Sequence, residues 1–206
     1  KVARTKARTK AKDIILAFVP LSLRWTIMSK EIERKFAVSD PAVVNGHVGL
    51  HIVQGYIADE PMTVRVRLME AEAFLTLKGK AQGIERDEYE FPIPVSHARE
   101  LLERYCGDRV IEKIRYRIPH KGQVFEVDVF QGRLDGLVVA ELELDSVDQA
   151  VELPAWVGVE LSGDHRYSNS SLSVMAAPPE LDGEPERPTG VVVSLEAARR
   201  WRQDHA

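Results

Sequence analysis

The chain has 206 residues, 44% of them hydrophobic and 29% charged, with a formal net charge of −4. That is enough to bury one full core, and it argues against a second domain. No global excess of Lys and Arg exists to displace phosphate counterions, so bulk nucleic-acid binding is excluded and any phosphate chemistry must come from locally concentrated bases.

Cys106 is the only cysteine. An internal disulfide and a thiolate zinc cluster are therefore ruled out, and a buried inert thiol in a reducing, cytoplasmic compartment is expected. The histidines show no HExxH or other metal-ligand spacing, which removes zinc.

Residues 1–27 are rich in Lys and Arg and contain one apolar run, Ile14 to Leu23, broken by Pro20. That run is too short to span a membrane, and Arg24 and Trp25 stand where a signal peptide would carry small residues. The segment is expected to be a non-core leader or upstream extension, with the folded domain over 28–177. From Glu31 onward the pattern is short alternating segments: Glu31–Val38, Leu50–Ile57, Thr63–Glu70, Ala73–Lys80, Ile84–Pro92, Val110–Ile118, Gln123–Phe130 and Leu137–Asp145. Turn signals such as Lys121-Gly122 and Asp135-Gly136 separate several of them, which predicts antiparallel β structure. A helix capped by Ser96 is predicted over Ser96–Cys106, with Ala98, Leu101, Leu102 and Tyr105 on one face. A second is predicted over Ser170–Ala177. Residues 178–206 read as a Pro-rich acidic linker and tail with a short helix at Leu195–Gln203.

Residues two apart in a strand share a face. The first strand therefore aligns Glu31, Glu33 and Lys35 opposite Ile32, Arg34 and Phe36. Later strands align Arg65 with Arg67, Thr76 with Lys78, Glu88 with Glu90, and Lys113 with Arg115 and Arg117. The last two align Glu126 with Asp128, and Glu141 with Glu143 and Asp145. For any one strand the plain explanation is a solvated sheet face. Runs of charge at consecutive same-face positions in so many strands favour a closed sheet with charges in the lumen and apolar side chains outside. Paired carboxylates suit hard cations such as Mg²⁺ or Mn²⁺, and Arg and Lys suit phosphate oxygens.

Glu31-Ile32-Glu33-Arg34-Lys35-Phe36 matches the ExExK signature, and further segments follow in order: Gln54-Gly55-Tyr56, Arg65-Val66-Arg67, Thr76-Leu77-Lys78, Arg86 to Glu90, Glu112 to Tyr116, Glu126 to Phe130, Glu141-Leu142-Glu143 and Asp164-His165-Arg166-Tyr167. In these the chain resembles the CYTH family of triphosphate tunnel metalloenzymes, closest to its small bacterial tripolyphosphatases. The resemblance implies a mainly β fold, an eight-stranded antiparallel β-barrel with a few covering helices. It further implies Mg²⁺, with Mn²⁺ as the alternative, held by Glu31, Glu33, Glu141, Glu143 and Asp128. Lys35, Arg65, Arg67, Lys78, Lys113, Arg115 and Arg166 would bind the phosphates, with Lys35, Lys113 and Arg115 the catalytic set. Glu88, Glu90 and Glu126 would be nearby salt-bridge or second-metal groups, and Tyr56 and Tyr167 packed aromatics. One departure is the run Ser168 to Ser171, where relatives carry bases.

The implied reaction is in-line attack of a metal-positioned water on the terminal phosphorus of a small triphosphate, inorganic tripolyphosphate first. Thiamine triphosphate hydrolysis, class IV-type adenylate cyclase activity and a non-catalytic polyphosphate- or triphosphate-binding module are the alternatives. The expected partners are the triphosphate and, at most, a second copy of the chain in a homodimer, with no nucleic acid and no membrane.

Overall fold

The computed structural model describes residues 27–181. Most of the leader and the helix expected at Leu195–Gln203 lie outside the described residues. Nine strands form one antiparallel sheet: β1 (Ile27–Val38), β2 (Gly49–Ala58), β3 (Thr63–Met69), β4 (Glu72–Lys78), β5 (Glu85–Pro92), β6 (Val110–His120), β7 (Gln123–Phe130), β8 (Val138–Glu143) and β9 (Val157–Glu160). Their order is β5-β4-β3-β2-β6-β7-β8-β1-β9, and a further β5–β1 pairing closes the first eight into a barrel. β1 achieves this by dividing its length. Ile27–Ile32 pairs with β5, and Glu33–Ala37 pairs with β8. Closure leaves those eight strands without a free edge along the paired stretches.

The expected eight-stranded antiparallel barrel is thus the fold, with β9 added on β1. β9 was not expected, since its alternation, Val157 and Val159 against Gly158 and Glu160, runs for only four residues. A fork from Arg34 to Glu160, with Nε donating to Oε1 at 2.8 Å and Nη2 to Oε2 at 2.6 Å, ties it to β1. At the β6–β7 hairpin Lys121 and Gly122 have φ of 46° and 82°. Positive φ at both central residues is what a two-residue hairpin turn of primed type requires.

The barrel is apolar outside. Ile32, Phe36, Ile114, Tyr116, Phe125, Val127, Ala140 and Leu142 form one buried cluster on the outer faces of β1, β6, β7 and β8, against Val44 and Trp156. Val66, Leu68 and Ala73 form another under helix α1 (Val95–Tyr105), with Ala98, Leu101 and Leu102.

The helix boundaries correct the sequence reading. Pro94, not Ser96, is the N-cap of α1 and no side chain caps it; its carbonyl accepts from the amides of His97 and Ala98 at 2.9 and 3.1 Å. Tyr105 stands 55% exposed rather than packed. The second helix is only α2 (Asn169–Leu172), capped by Ser168, whose hydroxyl accepts from the Ser171 amide.

A third cluster lies inside. Ala37, Ile111, Phe130 and Val139 continue the lumen faces of β1, β6, β7 and β8, and they pack with Leu161, Tyr167 and Leu172. The charged lumen therefore stops at an apolar plug on this side, and the chain from Leu161 to Leu172 folds over it. Among the described residues no helix is long and apolar enough to cross a membrane.

Candidate active site

A cavity of about 1620 Å³ runs through the barrel. Leu50 and Met69 line it at one end of the β2–β3 pair, and Glu60, Pro61 and Met62 line it at the hairpin end. The lumen side chains between them come from all eight barrel strands, and alternation brings them there: every second residue points inward while its neighbours join the outer apolar clusters.

Glu31 is the centre of one ion cluster. Lys78 Nζ donates to its two carboxylate oxygens at 2.7 and 3.0 Å, and Arg86 Nε donates to Oε2 at 2.5 Å. Burial would push this carboxyl up, but Lys78 and Arg86 outweigh it and hold Glu31 well below the usual carboxylate range. The same burial, reinforced by Arg65, lowers Lys78 to about 8.

A second cluster centres on Asp128, which is fully buried. Lys113 Nζ donates to its Oδ2 at 2.5 Å, while Arg115 forks onto both oxygens at 2.7 Å and donates to Glu141 at 2.6 Å. Arg115 also donates to Glu126. Burial lowers Lys113 to about 8 against the pull of Asp128. Lys35 behaves oppositely: despite burial, its contacts to Glu141 and to Glu33 raise its pKa well above the ordinary lysine value. Arg65 is held by Thr76 Oγ1 at 3.0 Å and by Glu90 at 3.2 Å.

Two features break the pairing. Arg67 lines the cavity with no carboxylate in ion-pair reach among the described residues. Burial and then the neighbouring Arg65 and Arg115 lower its pKa to about 10. On the opposite wall, Glu33 faces Glu143 across the β1–β8 ladder, and Glu126 faces Glu141 across β7–β8. Glu143 is open to solvent yet recessed in the tunnel; partial burial, then Glu126, Glu31, Glu33 and Glu88, push its carboxyl up.

The chemistry of this set fits a hard divalent cation. The donors are carboxylate oxygens without thiol or imidazole, and their mutual repulsion at Glu143 is what a cation would relieve. Glu31, Glu141 and Asp128 are each engaged by two bases, and among the described residues no three acidic or imidazole side chains are already gathered as a ligand set.

Of the residues expected in the site, three do not line the cavity: Lys113 and Asp128 are fully buried against each other, and the Arg166 guanidinium donates instead to Asp164 at 2.7–3.1 Å. Asn169, in the run Ser168 to Ser171, reaches Lys113 and Glu141 at 3.4 Å. Tyr167 is packed as expected, but Tyr56 lines the cavity. Arg86 was missed, although it shares the inward face of Glu88 and Glu90 and the period-two rule would have found it.

A model describing the CYTH domain matches residues 29–177. An inorganic triphosphatase of Acetivibrio thermocellus is 47% identical over 146 residues, 70% of this chain and 94% of the relative. One from Nitrosomonas europaea is 40% identical over 153 residues, 70% of this chain and 97% of the relative. Among solved structures, the crystal structure of an inorganic triphosphatase is 36% identical, with a TM-score of 0.53 over 70% of this chain and 95% of that one.

Proposed function

We propose, from the premise that this chain belongs to the CYTH family, that it is a metal-dependent triphosphatase whose substrate is inorganic tripolyphosphate. The observation that carries this reading is the division of the lumen. One wall holds a guanidinium without a carboxylate, Arg67, beside Arg65 and Arg115; the other sets Glu33 against Glu143. A polyanion satisfies the first wall, a divalent cation the second.

Mg²⁺ is the cation that suits these oxygen donors, and Glu33 and Glu143 hold it, with Glu31, Glu141 and Asp128 behind them. When bound it supplies Lewis-acid neutralisation of phosphoryl charge. Arg65, Arg67, Lys78 and Arg115 bind and orient the phosphoryl oxygens, so that the terminal phosphorus lies in line for water. Lys35 stays protonated between Glu33 and Glu141 and contributes charge only. Lys113, lowered to about 8, is the side chain we assign to take a proton from the attacking water, and since it is fully buried against Asp128 and outside the cavity lining it must turn into the lumen to do so. The cytoplasm is the compartment in which we place this activity.

Phosphate release from tripolyphosphate, thiamine triphosphate, ATP and pyrophosphate, each with Mg²⁺, Mn²⁺ or chelator, tests the proposal. Tripolyphosphate with Mg²⁺ is expected to exceed ATP by at least about tenfold in kcat/KM, a difference of about 1.4 kcal/mol in transition-state binding. Equal or faster turnover of ATP or thiamine triphosphate overturns the assignment to tripolyphosphate. Binding without release under every metal points to a non-catalytic module.

A further inference from the structure

The ion pairs of the lumen leave two polar side chains of β2 unused, Gln54 and Tyr56. Gln54 is fully buried and Tyr56 is 3% exposed. Gln54 Nε2 donates to the phenol oxygen of Tyr56 at 2.7 Å, and nothing among the described residues accepts the phenol's own hydrogen. The Tyr56 side chain lines the cavity, whereas Gln54 lies behind it. Across the ladder Tyr56 faces Arg65 and Gln54 faces Arg67. Three buried polar atoms of this block have no partner: Gln54 Oε1, Arg65 Nε and Arg67 Nε. Gln54 stands opposite Arg67 in the ladder, and beside a donor-only guanidinium the amide's free end is better its carbonyl than its NH₂. Burial pushes the Tyr56 phenol up, which keeps it a neutral O–H donor at working pH.

We propose that Gln54 is a positioning residue: by donating to the Tyr56 oxygen it leaves the phenol O–H directed at a phosphoryl oxygen in the cavity, beside the Nε–H groups of Arg65 and Arg67. The inference rests on the triphosphate reading of the cavity. An O–H group can both accept and donate, and a partner that only donates fixes which of the two it offers to a ligand. Gln54 acts through Tyr56 and touches no substrate itself.

A double-mutant cycle tests this, using Gln54→Leu, Gln54→Glu, Tyr56→Phe and the Gln54→Leu/Tyr56→Phe pair, with kcat and KM for tripolyphosphate and thermal unfolding measured for each. Gln54→Leu is expected to lower kcat about tenfold, and the paired variant to be no slower than Tyr56→Phe alone. Gln54→Glu has no N–H to donate and takes the phenol's hydrogen itself, so it is expected to be as slow as Gln54→Leu. Effects that multiply, or a Gln54→Glu variant with the parent rate, overturn the proposal. A second measurement needs no turnover: NMR titration of Cζ-labelled tyrosine in the ligand-free protein, with Tyr56→Phe identifying the signal. A donated N–H stabilises the phenolate, so Gln54→Leu is expected to move the Tyr56 midpoint upward. An unmoved midpoint overturns the Gln54–Tyr56 bond itself. A moved midpoint in a protein that hydrolyses no triphosphate faults the triphosphate reading instead, and with it the catalytic role of the pair.

Discussion

At Glu143 the sheet sets like charge against like charge, because β1 and β8 place Glu33 directly across the ladder and Glu126, Glu31 and Glu88 lie near. Directly opposed like charges destabilise a strand pair, so this arrangement costs the fold something; Lys35 offsets it in part at Glu33, and a bound cation would offset it at Glu143. Glu33→Gln and Glu143→Gln keep shape and remove one charge. Each is expected to cut metal-dependent hydrolysis at least about hundredfold while the melting temperature holds or rises. Turnover near the parent rate at low millimolar Mg²⁺ in both variants removes the metal assignment. Asp128 lies in the opposite situation, since it has zero exposure and both the fully buried Lys113 and the nearly buried Arg115 depend on it. Asp128→Asn leaves a buried ammonium without its carboxylate, and the expected loss in denaturant unfolding is about 3–5 kcal/mol. The two kinds of carboxylate should separate in stability, which Asp128→Asn lowers and Glu33→Gln and Glu143→Gln do not.

Helix α1 shows how one element depends on a single residue of another. An added Cβ at Gly55 would lie 2.7 Å from Cys106 Sγ and 2.9 Å from Leu102 Cδ2, so the end of α1 can approach β2 only because that position is glycine. Gly55→Ala overpacks this contact and is expected to cost about 1–3 kcal/mol by chemical denaturation, with the lumen chemistry of the folded enzyme retained. A stability equal to the parent's means that α1 can shift without loss. The strands bearing Glu31, Arg65, Lys113 and Glu141 were legible in the sequence because period-two alternation coincided with charge, so each inward residue announced its face. β9 was not legible, since Val157–Glu160 is only four residues and one period of alternation does not stand out from a loop. The apolar plug escaped for a related reason: Ala37, Ile111, Phe130 and Val139 keep the inward parity but lose the charge, so they read as ordinary core. Arg166 was placed in the site by its motif, and the local Asx-type contact with Asp164 turns it away. Gln54 and Tyr56 carried no charge to mark them, and only the register sets them opposite Arg67 and Arg65.

The whole barrel acts on its bases through one variable, how much carboxylate each finds once the lumen closes. Lys35, between Glu33 and Glu141, is raised; Lys78 and Lys113, where burial and neighbouring guanidinium groups prevail, are both lowered to about 8. In the proposed mechanism these two lysines have opposite duties. Lys113 must be neutral to take a proton, so kcat/KM should rise with pH as it deprotonates up to about 8. Lys78 must be charged to hold phosphate, so the same quantity should fall as pH passes about 8 and that charge is lost. The product is a narrow bell centred near pH 8, which kcat/KM for tripolyphosphate at constant ionic strength would display as limbs belonging to the free enzyme. Lys113→Arg keeps a permanent charge and is expected to be slow and to lose the rising limb while the falling limb remains. Lys78→Arg is expected to show the reverse, keeping the rise and extending activity to higher pH. If the profile of the parent enzyme is flat from about pH 6.5 to about 9.5, neither lysine titrates in the reaction, and the proton must pass by another route.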